Sequence, residues 1–375
     1  MALQLPAYGA SIVSLMNSLL RHYGVPPFHS TLDILDRRLE KGFRNVALLV
    51  FDGLGANILQ KHLKPDGFFA KHRAGTIMSI YPCTTTAAIT TFASGLSPLE
   101  HGWIGWSCYF KEVDACVDLF SGNLSGIAEG APAAQEHIAY RYLGFETVLS
   151  RIQEAAPQVK AVGVSPFAEY YADTCEGICR QVEALCRQPG RKFISAYHFQ
   201  PDKLMHELGI GDKRIGDMVR RYEERVLRMA RELEDTLLIV TADHGMTDMT
   251  MKFVEDFPKI AECLRHPISL EPRCCGLFVK EEYQEAFPRR FGEAFGDHFL
   301  LLTREEFLGR GFLGEGEAHP KVRDFVGDYM ALATSDIGLW RRNNHGKGHD
   351  FKAGHAGLRR EEMEVPLILA ECGEA

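Results

Sequence analysis

Residues 236–246 read Thr-Leu-Leu-Ile-Val-Thr-Ala-Asp-His-Gly-Met. A short, nearly continuous apolar run is what a strand covered on both faces requires, because neither face meets water. Here the run breaks at once into an acid, an imidazole and a glycine. Three other stretches share the apolar signature: Arg44–Phe51 (RNVALLVF), Lys192–His198 (KFISAYH) and Val365–Ala370 (VPLILA), with Val159–Val164 as a fifth strand. Helical stretches such as Asp212–Glu234, rich in Arg, Glu and Leu, lie between them. Strands alternating with helices specify an α/β fold with a mainly parallel central sheet flanked by helices.

Residues 247–340 depart from this rhythm. Gly276–Lys280 (GLFVK), a helix-like Glu281–Phe295 and Phe299–Thr303 (FLLLT) form a small β-α-β pattern, followed by a glycine-rich stretch, Gly309–Gly316. The reading is an α/β core over 1–246 and 341–375, with 247–340 as an inserted α+β subdomain or cap.

Ligands of open α/β sheets bind outside the carboxyl ends of the strands. The first strand delivers Asp52 there, before Gly53. The strand Lys192–His198 is followed by Asp202 and His206, four apart and so on one face of a helix. The strand Thr236–Thr241 delivers Asp243 and His244, and His355 precedes the last strand. Each has an ordinary alternative as a turn residue, a solvated Asp–His pair or a loop histidine. Agreement of all four pieces at one predicted edge points instead to metal ligation. Tyr81–Thr91 (YPCTTTAAITT) adds three threonines at a helix start, where free N–H groups and the helix dipole favour a phosphate, or where a threonine merely caps the helix.

Composition limits the remaining choices. The net charge of −8 over 375 residues argues against a nucleic-acid polymer as partner, since phosphate neutralisation needs the opposite sign. No stretch approaches a membrane span, and residues 1–10 lack the basic start of an export signal. Ten cysteines without repeated CxxC spacing read as reduced thiols of a cytoplasmic protein, though Cys175 and Cys179, four apart, could share a helix face. Oligomeric state is not legible.

Together these motifs resemble the type I phosphodiesterase/nucleotide pyrophosphatase branch of the alkaline phosphatase superfamily. Asp52 matches the family's first metal aspartate. Tyr81-Pro82-Cys83-Thr84-Thr85, running on to Gly95-Leu96-Ser97-Pro98 and His101-Gly102, matches its nucleophile segment and selects Thr85, flanked by Thr84 and Thr86. Pro201, Asp202, His206 and Gly209 match a further motif, as do Asp243–Met246 and His355 with Glu361, Glu362 and Val365–Ile368. His345 and His349 are alternatives to His355. The resemblance implies an alkaline phosphatase-like fold and two divalent ions, zinc or manganese. Asp52, Asp243, His244 and the Thr85 oxygen would hold one ion, and Asp202, His206 and His355 the other. It further implies hydrolysis of small phosphate esters through a phosphothreonine. Phosphomonoesterase, phosphonate hydrolase and phosphomutase are alternatives on the same scaffold, and a non-catalytic binding module is one of another class.

The chain departs from the family where nucleotide enzymes place an asparagine after His-Gly to hold a phosphate oxygen. Trp106 stands there, within His101–Trp106 (HGWIGW). Trp103, Trp106 and Tyr109 are therefore expected to line an apolar leaving-group pocket, with Lys203, Lys347 and Lys352 as substitute phosphate donors. Sulfatases are excluded because Cys83 lacks their motif.

Overall fold

The apolar runs become the middle of a seven-stranded sheet in the computed structural model, which describes residues 5–373. Its order is Arg73–Met78, Glu364–Cys372, Thr236–Thr241, Asn45–Phe51, Arg191–His198, Val159–Ser165 and Tyr170–Tyr171. The strands from Thr236–Thr241 to Tyr170–Tyr171 pair in parallel. Asn45–Phe51 and Thr236–Thr241 are buried at every position, as their lack of polar alternation requires.

Glu364–Cys372 runs against both its neighbours. This single reversal brings the start of the last strand to the edge where the other strands end. His355 and Glu362, just upstream of it, thus meet Asp52, Asp202 and Asp243. The strand Arg73–Met78 ends at the same edge and leads through Ser79 to the threonine turn. Being an edge strand with Arg73 and Thr76 exposed, it carries no apolar run that would mark it in the sequence.

Helices cover the sheet. Lys213–Glu232 buries Ile215, Val219, Tyr222, Val226 and Met229, spaced three or four apart on one face. Ile12–His22 opens with a capping box between Ser11 and Ser14 and packs against the helix Thr85–Ser94. Its Asn17 amide donates to the Gly95 carbonyl at 2.9 Å, fixing the far end of that helix. Gly95, at φ 76°, closes the helix in the left-handed conformation.

A second, six-stranded sheet is antiparallel throughout: Phe299–Thr303, Tyr329–Ala333, Cys274–Leu277, Ser269–Glu271, Ser107–Phe110 and Ala115–Asp118. Its last two strands come from the segment after His101-Gly102, and the other four from within 247–340. The expected β-α-β pattern is split, because Tyr329–Ala333 lies between the strands Cys274–Leu277 and Phe299–Thr303. The helix between those two begins at Phe287, with proline in its first turn, and buries Phe287, Phe291 and Phe295.

Arg273 and Glu362 join this second sheet to the main one. Both are fully buried, and Arg273 Nε and Nη2 donate to the two Glu362 oxygens at 2.6 and 2.7 Å. Glu362 also accepts the Gly357 N–H at 2.8 Å, holding the turn after His355. Removing one partner of such a pair leaves an uncompensated buried charge. Arg273→Met is expected to destabilise the protein by about 3–5 kcal/mol in urea unfolding, Glu362 then losing its counter-charge. All ten cysteines are buried and unbridged. Thiol labelling with mass detection should find almost no reaction in the native state and ten labelled residues after unfolding without reductant.

Candidate active site

Asp52 extends the first strand by one residue, its N–H bonding to the His198 carbonyl at 2.9 Å. The Asp202 N–H in turn bonds to the Asp52 carbonyl at 3.0 Å, so the start of the helix Asp202–Leu208 is tied to the first strand's end. Gly53 permits this approach: it sits at φ +71°, and a Cβ there would lie 3.0 Å from Asp202 Cα. Gly245 serves another purpose. Its φ is not positive, but a Cβ would lie 2.1 Å from the Glu361 carbonyl oxygen. Glycine here lets the His244 turn pack against the short helix Arg360–Met363 that precedes the reversed strand.

The six acid and histidine side chains expected to converge do so, in two groups. Asp52, Asp243 and His244 offer donor atoms within 4.8 Å of one another, and so do Asp202, His206 and His355. The groups are adjacent, with the His244 and His355 rings stacked at 3.9 Å. His345 and His349 lie outside both. His345 is exposed and bonded to Glu129, while His349 packs on Phe351.

All three imidazoles are oriented alike. Nδ1 of His206 faces the Ala353 carbonyl at 2.7 Å, Nδ1 of His244 the Gly245 carbonyl at 2.9 Å, and Nδ1 of His355 the Cys83 carbonyl at 3.1 Å. A carbonyl only accepts, so each Nδ1 carries a proton, and each Nε2 faces the carboxylates, able to ligate a cation when its ring is neutral. This is the arrangement that backbone carbonyls impose on metal-ligating histidines.

The carboxylates show the complementary need. Oδ1 of Asp202 and Oδ2 of Asp243 are buried and accept no hydrogen bond, whereas Asp243 Oδ1 accepts from the Gly53 and His244 N–H groups at 3.0 and 2.9 Å. Burial, with repulsion from Asp202, pushes the Asp52 carboxyl above the usual range. Burial lifts Asp202 to about 7 and raises Asp243, repulsion from Asp52 adding to the latter. Burial depresses His206 to about 4 and His355 well below the usual imidazole range. Burial opposes the His244 cation too, but Asp243 and Asp52 outweigh it and raise that ring. Three carboxylates, two of them with an orphaned oxygen, facing three imidazole Nε2 atoms fit two divalent cations in charge and donor type.

The three threonines separate by position. Thr85 is the first residue of the helix Thr85–Ser94, and its Oγ1 lies 3.2 Å from His244 Nε2 and 3.5 Å from Asp52 Oδ1. The Thr84 hydroxyl instead donates to Glu271 Oε1 at 2.5 Å. Thr86 is fully buried, its hydroxyl without a partner. Only Thr85 faces the two groups.

The site opens into a cavity of about 920 Å³. Trp106 lines it, 44% exposed, beside Phe120, Tyr140, Phe167, Trp340 and Phe351. The other two expected aromatic residues do not. Trp103 is buried beneath the rim, its indole N–H donating to the Leu143 carbonyl at 3.0 Å. Tyr109 stacks on His266 at 4.1 Å, because strand alternation in Ser107–Phe110 turns it away. Of the three lysines, Lys203 alone reaches the lining; Lys352 is paired with Asp350, and Lys347 lies on an exposed loop. Sequence reasoning missed Tyr197, whose hydroxyl donates to Asp52 Oδ2, and Glu271. A tyrosine one residue from a strand's carboxyl end was a usable signal for the first. Glu271 lies in the second sheet, and no motif announces it.

Residues 145–282 match the family described as Type I phosphodiesterase / nucleotide pyrophosphatase. That span holds Asp202, His206, Asp243 and His244, and leaves Asp52, Thr85 and His355 outside. No curated protein matches the chain. Among solved structures, murine ectonucleotide pyrophosphatase / phosphodiesterase 5 aligns at a TM-score of 0.62 and 15% identity, over 86% of this chain and 87% of that one. An inactive threonine-to-alanine form of the same mouse protein, in complex with AMP, aligns at 0.60 and 15% identity, with the same coverage. Phosphonoacetate hydrolase from Sinorhizobium meliloti 1021, in complex with phosphonoformate, aligns at 0.64 and 15% identity, over 88% of this chain and 90% of that one. Motifs, family match and fold agree: residues 145–282 match the type I phosphodiesterase / nucleotide pyrophosphatase family, and the chain shares the fold of these phosphodiesterase and phosphonate hydrolase structures.

Proposed function

We propose that the protein is a two-metal phosphoesterase that cleaves small phosphate esters through a phosphothreonine on Thr85. The observation that carries this is the position of Thr85 Oγ1, at a helix N-terminus and between the Asp52–Asp243–His244 group and the cavity. Asp52, Asp243, His244 and the Thr85 oxygen would hold one ion; Asp202, His206 and His355 would hold the other. Mixed carboxylate and imidazole donors suit zinc, with manganese as the alternative. When bound, such ions lower the pKa of a hydroxyl nucleophile and stabilise charge on a leaving oxygen.

The chain's own groups supply the rest. Thr85 Oγ1 attacks phosphorus, the bond to the ester oxygen breaks with its electron pair leaving on that oxygen, and the hydroxyl proton passes to solvent. Water then cleaves the phosphothreonine and restores the hydroxyl. The first-turn N–H groups of the helix Thr85–Ser94 have no intrahelical acceptor and favour a phosphate oxygen beside Thr85. Tyr197 donates to Asp52 and fixes the face that this carboxylate presents. The aromatic rim of Trp106, Phe120, Tyr140 and Phe167 suits an apolar or aryl leaving group.

Phosphonate hydrolysis is the second reading, prompted by the aligned phosphonoacetate hydrolase. The cavity opposes a carboxylate-bearing phosphonate: Asp118, Glu207 and Glu271 line it, against Lys203 as the one lysine or arginine among the described lining residues. A cytoplasmic location belongs to the same proposal, supported by ten unbridged, buried cysteines. Among the described residues, no helix is long and apolar enough to cross a membrane.

Calorimetric titration of chelator-treated protein with zinc should give two sites per chain, and Asp202→Asn should leave one. A single site in the parent protein would remove the two-ion assignment. Thr85→Ala should lower kcat on an aryl phosphodiester by a factor of about 10³ or more while still binding zinc. Thr86→Ala should cost far less, and full turnover in Thr85→Ala would transfer the attack to water.

A further inference from the structure

Glu271 ends the strand Ser269–Glu271 of the second sheet and is 5% exposed. It lines the same cavity as Thr85 and Asp202 but belongs to neither group of candidate metal ligands. One of its oxygens, Oε1, is held from two sides. The Thr84 hydroxyl donates to it at 2.5 Å and the Trp106 backbone N–H at 2.7 Å. Thr84 immediately precedes the nucleophile candidate, and Trp106 occupies the position of the asparagine expected from the resemblance. A carboxylate is therefore pinned beside the space that a phosphate on Thr85 would fill, on the side where an uncharged amide was expected. Two neutral donors fix its direction; burial pushes its carboxyl up to about 7 while those donors hold it down, so the charge is full at mildly alkaline pH.

We propose that Glu271 is a specificity-determining residue whose carboxylate selects singly charged phosphodiesters over doubly charged phosphomonoesters. The inference rests on the phosphoesterase reading of the site and deepens it. A diester carries one negative charge at neutral pH, and a monoester close to two. A fixed like charge in a water-poor pocket repels each in proportion to its charge, and repulsion is stronger there than in bulk water. The repulsion acts on the ground state and on the transition state alike, so it enters kcat/KM and binding together. The aromatic rim acts in the same direction, because a second ester group gains apolar contact that a bare phosphate oxygen does not.

Glu271→Gln, assayed at mildly alkaline pH where the parent carboxyl is ionised, tests this. Its amide oxygen still accepts from Thr84 and Trp106, so the local geometry is kept while the charge is removed. The ratio of kcat/KM for an aryl monoester to that for an aryl diester should rise by about tenfold or more. Calorimetry with inorganic phosphate on the zinc-loaded protein should show affinity tightening by a similar factor. An unchanged ratio together with unchanged phosphate affinity would overturn the proposal. So would a ratio that moves in Glu271→Ala and not in Glu271→Gln, since that pattern belongs to a brace for Thr84. Thermal unfolding of both variants checks that the fold survives. Parent protein that turns over neither ester would sink the phosphoesterase reading, and the phosphate calorimetry would still report the charge of Glu271.

Discussion

Like charges packed without water between them are the constraint on which this structure turns. Asp52, Asp202 and Asp243 are each at most 9% exposed, and they converge on one point at the edge of the main sheet. Hydrogen bonds satisfy only some of their oxygens. Desolvation of three carboxylates costs several kcal/mol per ion unless cations answer them. The imidazoles answer in part, and His244 is drawn toward its cation by the acids around it. With each Nδ1 bound to a carbonyl, though, the three rings are arranged as nitrogen donors. The arrangement is coherent as a cradle for divalent ions and costly as anything else.

The fold is arranged to produce that crowding. Parallel strands put their carboxyl ends together, but a polypeptide of this pattern would leave its last histidine motif at the opposite edge. The reversed strand Glu364–Cys372 removes this difficulty. Gly53 and Gly245 then allow backbones to approach where any side chain would collide. The buried Arg273–Glu362 pair braces the incoming loop from the second sheet, so that sheet is coupled mechanically to His355.

Much of this was legible because the physics is local. Asn45–Phe51 and Thr236–Thr241 are covered strands, and covered strands cannot hide their apolar composition. Asp243-His244-Gly245 stands directly at a strand end, and Asp202 with His206 share a helical face. What was illegible depends on long-range pairing. Arg73–Met78 is an edge strand with a mixed surface, so periodicity passes over it. Strands Ser107–Phe110 and Ala115–Asp118 join strands from beyond residue 268, a partnership that no local pattern encodes. Nearness to His101-Gly102 suggests Trp103 and Tyr109 as pocket residues. Nearness in sequence does not fix which face of a strand or turn a ring takes, and only Trp106 emerged on the cavity side.

The division of labour between the two sheets explains why chemistry and selectivity differ in legibility. The main sheet supplies Asp52, Asp202, Asp243 and His244 from strand ends, where position is set by the core and changes little with loop sequence. The second sheet and its connections supply Trp106, Asp118, Phe120 and Glu271 to the cavity wall. These groups sit on short strands and turns, not at the ends of covered strands. A scaffold built this way can keep one reaction and change its substrate by altering the second sheet. Glu271 shows the coupling at its closest: it reaches the threonine turn through Thr84 yet belongs to the second sheet. On the proposed reading, a charge there would act on the substrate from outside both groups of candidate metal ligands.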